Sequence, residues 1–196
     1  MLQSLKQKIL EKGIVINEEI LSVDSFLNHQ LDINLCLEIG ETFASYFKSL
    51  KPTLILTAES SGIVPAFTTA KELGIPIIVV RKAPSVIMQE KYISTSSFSF
   101  TRKSSINLFL NKDYVKPHDR ILIIDDFLSN GDLSQSLLKL IAEIKAHAVG
   151  AGFVIEKSFL PGRKLLETQH PHLKILSLAK IASLENKTIT FGAKDS

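Results

Sequence analysis

The chain has 196 residues, 45% of them hydrophobic and 22% charged, with a formal net charge of +3. That length suits one domain with at most a small appended lobe, and the composition builds a full core and excludes a disordered segment. Basic residues come at most in pairs (Arg81-Lys82, Arg102-Lys103, Arg163-Lys164), which argues against a nucleic-acid partner and suits a small polyanion instead.

The N-terminal run Met1 to Lys6 opens no signal peptide, and no apolar run is long enough to span a bilayer, so no membrane association is expected and a cytoplasmic location is. Residues 4–12 read as a short charged helix with Gly13 as its stop. Residues 14–31 are a mixed stretch. Asp32 is an expected N-cap, and Cys36, Ile39, Phe43 and Phe47 then recur at helical spacing to make one buried face. Cys36 is the single cysteine, so neither an internal disulfide nor a zinc site is expected.

A regular alternation follows. Strands are predicted at 53–58, 75–80, 121–124, 150–155 and 175–181, with helices at 65–73, 133–146 and 163–169. Strands apolar on both faces and separated by helices imply an α/β fold, a mostly parallel five-stranded sheet flanked by helices. One domain, 1–196, is expected: N-terminal helices over about 1–50, an α/β core over 51–182 and a tail over 183–196. Residues 81–105 interrupt the rhythm with seven serines and two threonines. Part of this segment can pair as strands, Ser96–Phe100 with Ile106–Leu110. A polar stretch of this length inside a domain is functional or mobile, and 83–105 is expected to be a mobile loop.

In a parallel sheet, ligands gather beyond the carboxyl ends of the strands. The third strand runs into Asp125-Asp126-Phe127-Leu128-Ser129-Asn130-Gly131-Asp132. Two acids followed by a small-residue loop and a helix N-terminus form a phosphate cradle: backbone N–H groups face the anion, and the acids can accept from sugar hydroxyls. The same pattern also makes a plain strand-to-helix turn. Asp132 would repel a phosphate unless its side chain caps the helix and turns away.

Residues 121–132 resemble the phosphoribosyl pyrophosphate (PRPP) motif of the type I phosphoribosyltransferases. The usual loop ends in Thr-Gly, a small residue and Thr, whereas this chain has Asn130-Gly131-Asp132-Leu133, leaving Ser129 and Ser134 as the hydroxyls at hand. Further segments resemble the xanthine branch of that family: Val23 to Gln30, Glu59-Ser60-Ser61-Gly62-Ile63, Arg81-Lys82, Asp125 to Leu128 with Asn130-Gly131, and Val154 to Phe159 with Pro161-Gly162-Arg163. They fall in order along nearly the whole chain.

The resemblance implies a type I phosphoribosyltransferase fold with a small N-terminal hood over the base site, and a homodimer. It implies PRPP contacts from Ser129, Asn130, Gly131, Asp132 and Leu133, from Glu59, Ser60, Ser61 and Gly62, and from Arg81 and Lys82. A guanidinium forks onto phosphate and an ammonium adds a point charge; a tight turn at 59–62 and a solvated Arg-Lys pair are the plainer readings. Asp125 and Asp126 would be catalytic, holding the ribose hydroxyls as positive charge grows on the sugar. Leu21, Asn28 and Lys157 would contact xanthine, and Asn28 is equally suited to a turn. Mg²⁺ is implied as cofactor, held mainly by substrate oxygens and water rather than by protein ligands. Segment 83–105 would then close over the site as a lid.

The implied reaction is purine salvage, PRPP plus xanthine giving xanthosine 5′-monophosphate and pyrophosphate. Alternatives are a guanine or hypoxanthine enzyme, and a PRPP-binding regulator without catalysis. A dinucleotide-binding protein is disfavoured, because no GxGxxG follows the first strand.

Overall fold

A computed structural model describes residues 2–84, 91–99 and 104–192. Helix α1 (Gln3–Lys12) buries Leu5 and Ile9, one turn apart, and ends where the Gly13 N–H donates to the Ile9 carbonyl. The mixed stretch that follows is a short antiparallel pair, β1 (Ile14–Val15) and β2 (Leu21–Ser22). Asn17 shapes its turn by accepting the N–H groups of Glu19 and Ile20 through Oδ1. A single wide helical turn, Asp24–Asn28, leads to α2 (Ile33–Phe47). Asp32 caps α2 as expected, Oδ1 accepting from the Leu35 N–H at 3.2 Å. Cys36, Ile39, Phe43 and Phe47 form its buried face, each phenylalanine contributing about 1.5–3 kcal/mol by leaving water.

The core elements are β3 (Leu54–Ala58), α3 (Ile63–Leu73), β4 (Ile77–Val80), the pair β5 (Tyr92–Ser99) and β6 (Ser104–Asn111), β7 (Arg120–Leu128), α4 (Asp132–Glu143), β8 (His147–Lys157), α5 (Gly162–Gln169), β9 (Lys174–Ser183) and β10 (Thr190–Phe191). The main sheet has the order β10-β9-β8-β7-β3-β4. Its strands from β9 to β4 are parallel, and these are the five that the sequence predicts. Two-residue β10 joins antiparallel at the β9 edge, too short to announce itself by periodicity.

Two apolar layers cover the sheet. One holds α1, α2 and the hood region, with Leu5, Phe43 and Ile124 at its centre. The other holds α4, α5 and the β5–β6 pair, with Leu108, Leu137 and Phe153.

The polar segment between β4 and β7 is better organised than its composition suggests. β5 and β6 pair over eight residues each, from Tyr92↔Asn111 to Ser99↔Ser104. The pair is anchored on both sides: Arg81 and Phe109 exchange backbone hydrogen bonds at 3.0 and 2.8 Å, and the Ser136 hydroxyl on α4 donates to the Ser96 carbonyl at 3.3 Å. Residues 85–90 and 100–103 of the expected lid, with Phe100 of the expected strand, lie outside the described residues, as do residues 193–196 of the tail.

Candidate active site at the carboxyl edge of the sheet

The chain leaves β3, β4, β7 and β8 at the same edge of the sheet, because these strands are parallel neighbours. Glu59–Gly62, Arg81-Lys82, the Asp125-Asp126 pair with its loop, and Lys157 therefore converge there. The expected third strand ends at Ile124, whereas β7 runs on to Leu128, because its pairing with β8 continues through Phe127↔Ile155 and Leu128↔Glu156. The acids thus sit inside a strand and are rigidly held.

Asp125 is 5% exposed and Asp126 8%. Asp125 Oδ1 accepts the Asp126 N–H and Asp126 Oδ1 accepts the Phe127 N–H, both at 2.9 Å. Burial pushes the Asp125 carboxyl well above the ordinary carboxylate range, the adjacent Asp126 charge adds to this, and Lys82 pulls the other way. Gly62 abuts the pair: a Cβ there would lie 2.3 Å from Thr57 Oγ1 and 2.6 Å from Asp125 Oδ1. Only a glycine lets the β3–α3 loop approach so closely. Among the described residues, the buried Thr57 hydroxyl beside it has no hydrogen-bond partner.

Ser129 and Asn130 lead to Gly131, whose φ of 89° is left-handed backbone that favours glycine. Gly131 occupies the N-cap position of α4, so the expected side-chain cap from Asp132 is not formed; Asp132 is the first helical residue. Leu133 follows it, and Ser134 is buried on the helix. The first-turn N–H groups of α4 have no partner within the helix and face the end of the loop, with the positive end of the helix dipole behind them.

After β3, the Glu59–Ser60 peptide bond is cis. The Glu59 side chain turns to its own neighbours: Oε1 accepts the Lys82 N–H at 2.6 Å, and Oε2 lies 3.1 Å from Arg81 Nε. It organises the Arg81-Lys82 turn, while Ser60 and Arg81 are exposed at the edge.

Asn28 of the N-terminal hood reaches the acids, its Nδ2 donating to Asp126 Oδ2 at 3.0 Å. Lys157 is no loose surface cation. Its Nζ donates to the Glu19 carbonyl at 2.6 Å and lies 5.3 Å from the centre of the Phe127 ring. Burial lowers its ammonium below the ordinary lysine range, against the Glu19 and Asp126 charges. The Leu21 side chain is in the core, with Cδ1 against Gly13. Any contact from Leu21 to a ligand at this edge therefore falls to its main chain.

Among the described residues, no three histidine, cysteine, aspartate or glutamate side chains gather into a metal cage. The acid pair does supply the hard oxygen donors that Mg²⁺ accepts.

Sequence reasoning gave no role to three features of this edge. Glu156, 2% exposed, is paired to Arg163 and to Ser177; a carboxylate directly after the apolar run Val154-Ile155 was the available signal, since a buried acid needs partners. Phe127 and the Glu19 carbonyl hold Lys157. Gly162 braces the β7–α4 loop, its N–H donating to the Ser129 carbonyl at 3.0 Å.

No family model matches the chain. Among curated proteins it is similar to the xanthine phosphoribosyltransferase of Staphylococcus carnosus, 44% identical over 189 residues, which cover 96% of this chain and 97% of that one. The xanthine phosphoribosyltransferase of Bacillus licheniformis is 43% identical over 190 residues, 97% of each chain. Among solved structures, adenine phosphoribosyltransferase from Trypanosoma brucei superposes with a TM-score of 0.74 at 18% identity, covering 90% of this chain and 79% of that one. The adenine enzyme from Thermoanaerobacter pseudethanolicus gives 0.66 at 26% identity over 76% and 82%. The two solved structures share the fold; the two curated relatives match almost end to end.

Proposed function

The chain belongs to the xanthine phosphoribosyltransferase family, and from that membership we propose how its residues carry the reaction. The enzyme works in purine salvage, transferring the 5-phosphoribosyl group of PRPP to xanthine to give xanthosine 5′-monophosphate and pyrophosphate. The observation that carries the assignment of roles is the meeting, at one sheet edge, of an anion-cradling helix start, a buried acid pair and a hooded lysine.

The loop Ser129 to Leu133 receives the 5′-phosphate of PRPP through backbone N–H groups at the start of α4. Ser60, Ser61 and Gly62 line the pyrophosphate side, and Arg81 and Lys82 supply its positive charge. Glu59 contributes by holding the basic pair in place. Asp125 and Asp126 accept from the ribose hydroxyls. As the bond from the sugar to pyrophosphate breaks and that to the base nitrogen forms, positive charge on the ribose is stabilised by the acid pair.

Asn28 and Lys157 select the base. Lys157 donates to an exocyclic oxygen of xanthine, and Asn28 and the main chain of Leu21 meet the other polar edge. A hydrogen-bonding site rejects a base that leaves its buried groups unpaired. Both side chains have internal partners without substrate, Asp126 and the Glu19 carbonyl, so they are satisfied until a base arrives.

Mg²⁺ is the proposed cofactor; Asp125 and Asp126 are the residues that would approach it, and it would neutralise charge on the departing pyrophosphate. A homodimer is also proposed, since the exposed Phe67 and Tyr46 are apolar surface that self-association would remove from water. The cytoplasm is the proposed location: Cys36 is a free, buried thiol, and among the described residues no helix is long and apolar enough to cross a membrane.

The test is nucleotide formation by the purified protein with PRPP, Mg²⁺ and each of xanthine, hypoxanthine, guanine and adenine. Preference for xanthine is expected. Preference for guanine or hypoxanthine would overturn the roles of Asn28 and Lys157, and absence of product with every base would favour a PRPP-binding regulator.

A further inference from the structure

Glu156 is the most deeply buried carboxylate of the site region at 2% exposed, and it contacts none of the substrate groups proposed above. Its Oε2 accepts from Arg163 Nη2 at 2.6 Å, from Arg163 Nε at 3.0 Å and from the Ser177 hydroxyl at 2.6 Å. Arg163 also donates from Nη2 to Ser177 Oγ at 3.0 Å and from Nη1 to the Ile175 carbonyl at 3.3 Å, and Nη1 lies 3.6 Å from Glu167 Oε1. Oε2 of Glu156 takes three donors, and every nitrogen of the Arg163 guanidinium donates. An ion pair so buried is a poor source of net stability, because apolar residues of the same volume would hold the two elements as well. What it supplies is a fixed orientation.

The two ends of this pair sit where orientation matters. Glu156 is covalently next to Lys157. Arg163 is covalently next to Gly162, whose N–H holds the Ser129 carbonyl. Gly162 packs so tightly that a Cβ on it would lie 2.3 Å from the Ser129 carbonyl oxygen and 2.9 Å from the Gly131 nitrogen. The reciprocal Cβ on Gly131 would lie 3.1 Å from Gly162 Cα. Leu128, which precedes Ser129, is the register partner of Glu156 across β7 and β8. The result is a closed ring: Glu156 to Leu128 by the sheet, Leu128 to Ser129 by the chain, Ser129 to Gly162 by a hydrogen bond, Gly162 to Arg163 by the chain, and Arg163 back to Glu156 by the ion pair.

We propose that Glu156 and Arg163 are positioning residues that fix the Ser129–Gly131 loop, and with it the 5′-phosphate, at a set distance from the Lys157 that holds the base. The proposal rests on the assignment of that loop to the 5′-phosphate. Neither residue is catalytic: each acts through a neighbour.

The test uses Arg163→Met, Arg163→Lys and Glu156→Gln, with Gly131→Val as a control on the loop itself. Steady-state constants for PRPP and xanthine are measured, with the inhibition constants of ribose 5-phosphate and of pyrophosphate, and thermal melting in parallel. In Arg163→Met the inhibition constant of ribose 5-phosphate and the KM for PRPP are expected to rise ~10-fold, as when the outer supports of a site are removed. The inhibition constant of pyrophosphate, bound by the other loop, stays within ~2-fold, as separate sites do. Arg163→Lys keeps the charge but loses the fork, so ~3-fold effects are expected. Glu156→Gln removes the charge but keeps an oxygen that accepts from Arg163 and Ser177, so an effect in the same direction but no larger than that of Arg163→Lys is expected; with Arg163→Lys it guards against an Arg163→Met that does not fold. Variants that melt lower yet bind ribose 5-phosphate normally, or that weaken both inhibitors alike, would overturn the proposal. If Gly131→Val weakens ribose 5-phosphate and neither Glu156→Gln nor the Arg163 variants do, the positioning role fails while the loop assignment stands. If Gly131→Val has no effect either, both fail.

Discussion

The two halves of the site are built in opposite ways. The sugar-phosphate half is one continuous stretch, β7 into its loop into α4, with every group within a few residues of the next. The base half is assembled across the chain: Asn28 meets Asp126 at a separation of 98 residues, and Lys157 meets Glu19 at 138. The first is backbone geometry, set by a strand end, a left-handed glycine and a helix start, and it is the half proposed to hold the sugar phosphate, which does not change with the base. The second is side chains brought together only by the folded hood, and it is the half proposed to choose the base. Changes in the first should therefore damage turnover and PRPP binding with all bases, and changes in the second should damage the choice of base.

The largest expected effect lies in the first half. Changing both Asp125 and Asp126 to Asn should cut turnover ~10³-fold with every purine, the scale of losing preorganised charge stabilisation, while circular dichroism and melting remain those of a folded protein. Turnover within a few-fold of the parent would remove the pair from the chemistry. Gly131→Val comes next. A Cβ there lies 3.1 Å from Gly162 Cα in addition to the left-handed φ, so a stability loss of about 1–3 kcal/mol and a raised KM for PRPP are expected, read by denaturant unfolding and kinetics. A variant with unchanged KM for PRPP would detach the loop from the phosphate.

The smallest effect is on stability alone. The Asp125 carboxyl is held well above its ordinary value of 3.8, so the folded protein binds that proton more tightly than the unfolded chain does. The stability this gives is complete below pH 3.8 and is lost as pH rises through the native value. Asp125→Asn escapes the loss. Its melting temperature should match that of the parent in acid and exceed it at neutral pH. Melting curves across pH check this; parallel curves would mean that the acid carries no burial cost.

The same contrast explains what could be read from the sequence. The five parallel strands and the capped α2 are local patterns of apolar run and cap residue, and they stand where the sequence predicts them, whereas the acids expected after the third strand lie inside β7. Asn28 and Lys157 were singled out only through resemblance, since neither a lone asparagine nor a lone lysine has a periodicity to betray it. Asp132 does not cap α4 with its side chain, because Gly131 takes the cap position in a conformation that a string of letters does not display. The β5–β6 pair was half visible: its alternation could be seen at Ser96 and Ile106, but not its anchoring to Arg81 and Ser136, which requires β4 and α4 to be folded. Glu156 and Arg163 went unassigned because they lie seven residues apart, and their partner Ser177 comes from another strand.

The division of labour is tested most directly by Asn28→Ala, which removes the hood side chain that bridges to Asp126 Oδ2 and leaves the backbone of the Ser129–Gly131 loop unchanged. Steady-state kinetics with xanthine and with hypoxanthine, at saturating and at varied PRPP, give the base preference and the KM for PRPP from one preparation. The expected result is a ~10-fold loss of the preference for xanthine over hypoxanthine, the scale of one hydrogen bond unmade in a buried site, with the KM for PRPP unchanged. An unaltered preference combined with a raised KM for PRPP would contradict the division, and would place Asn28 with the acid pair in the sugar-phosphate half.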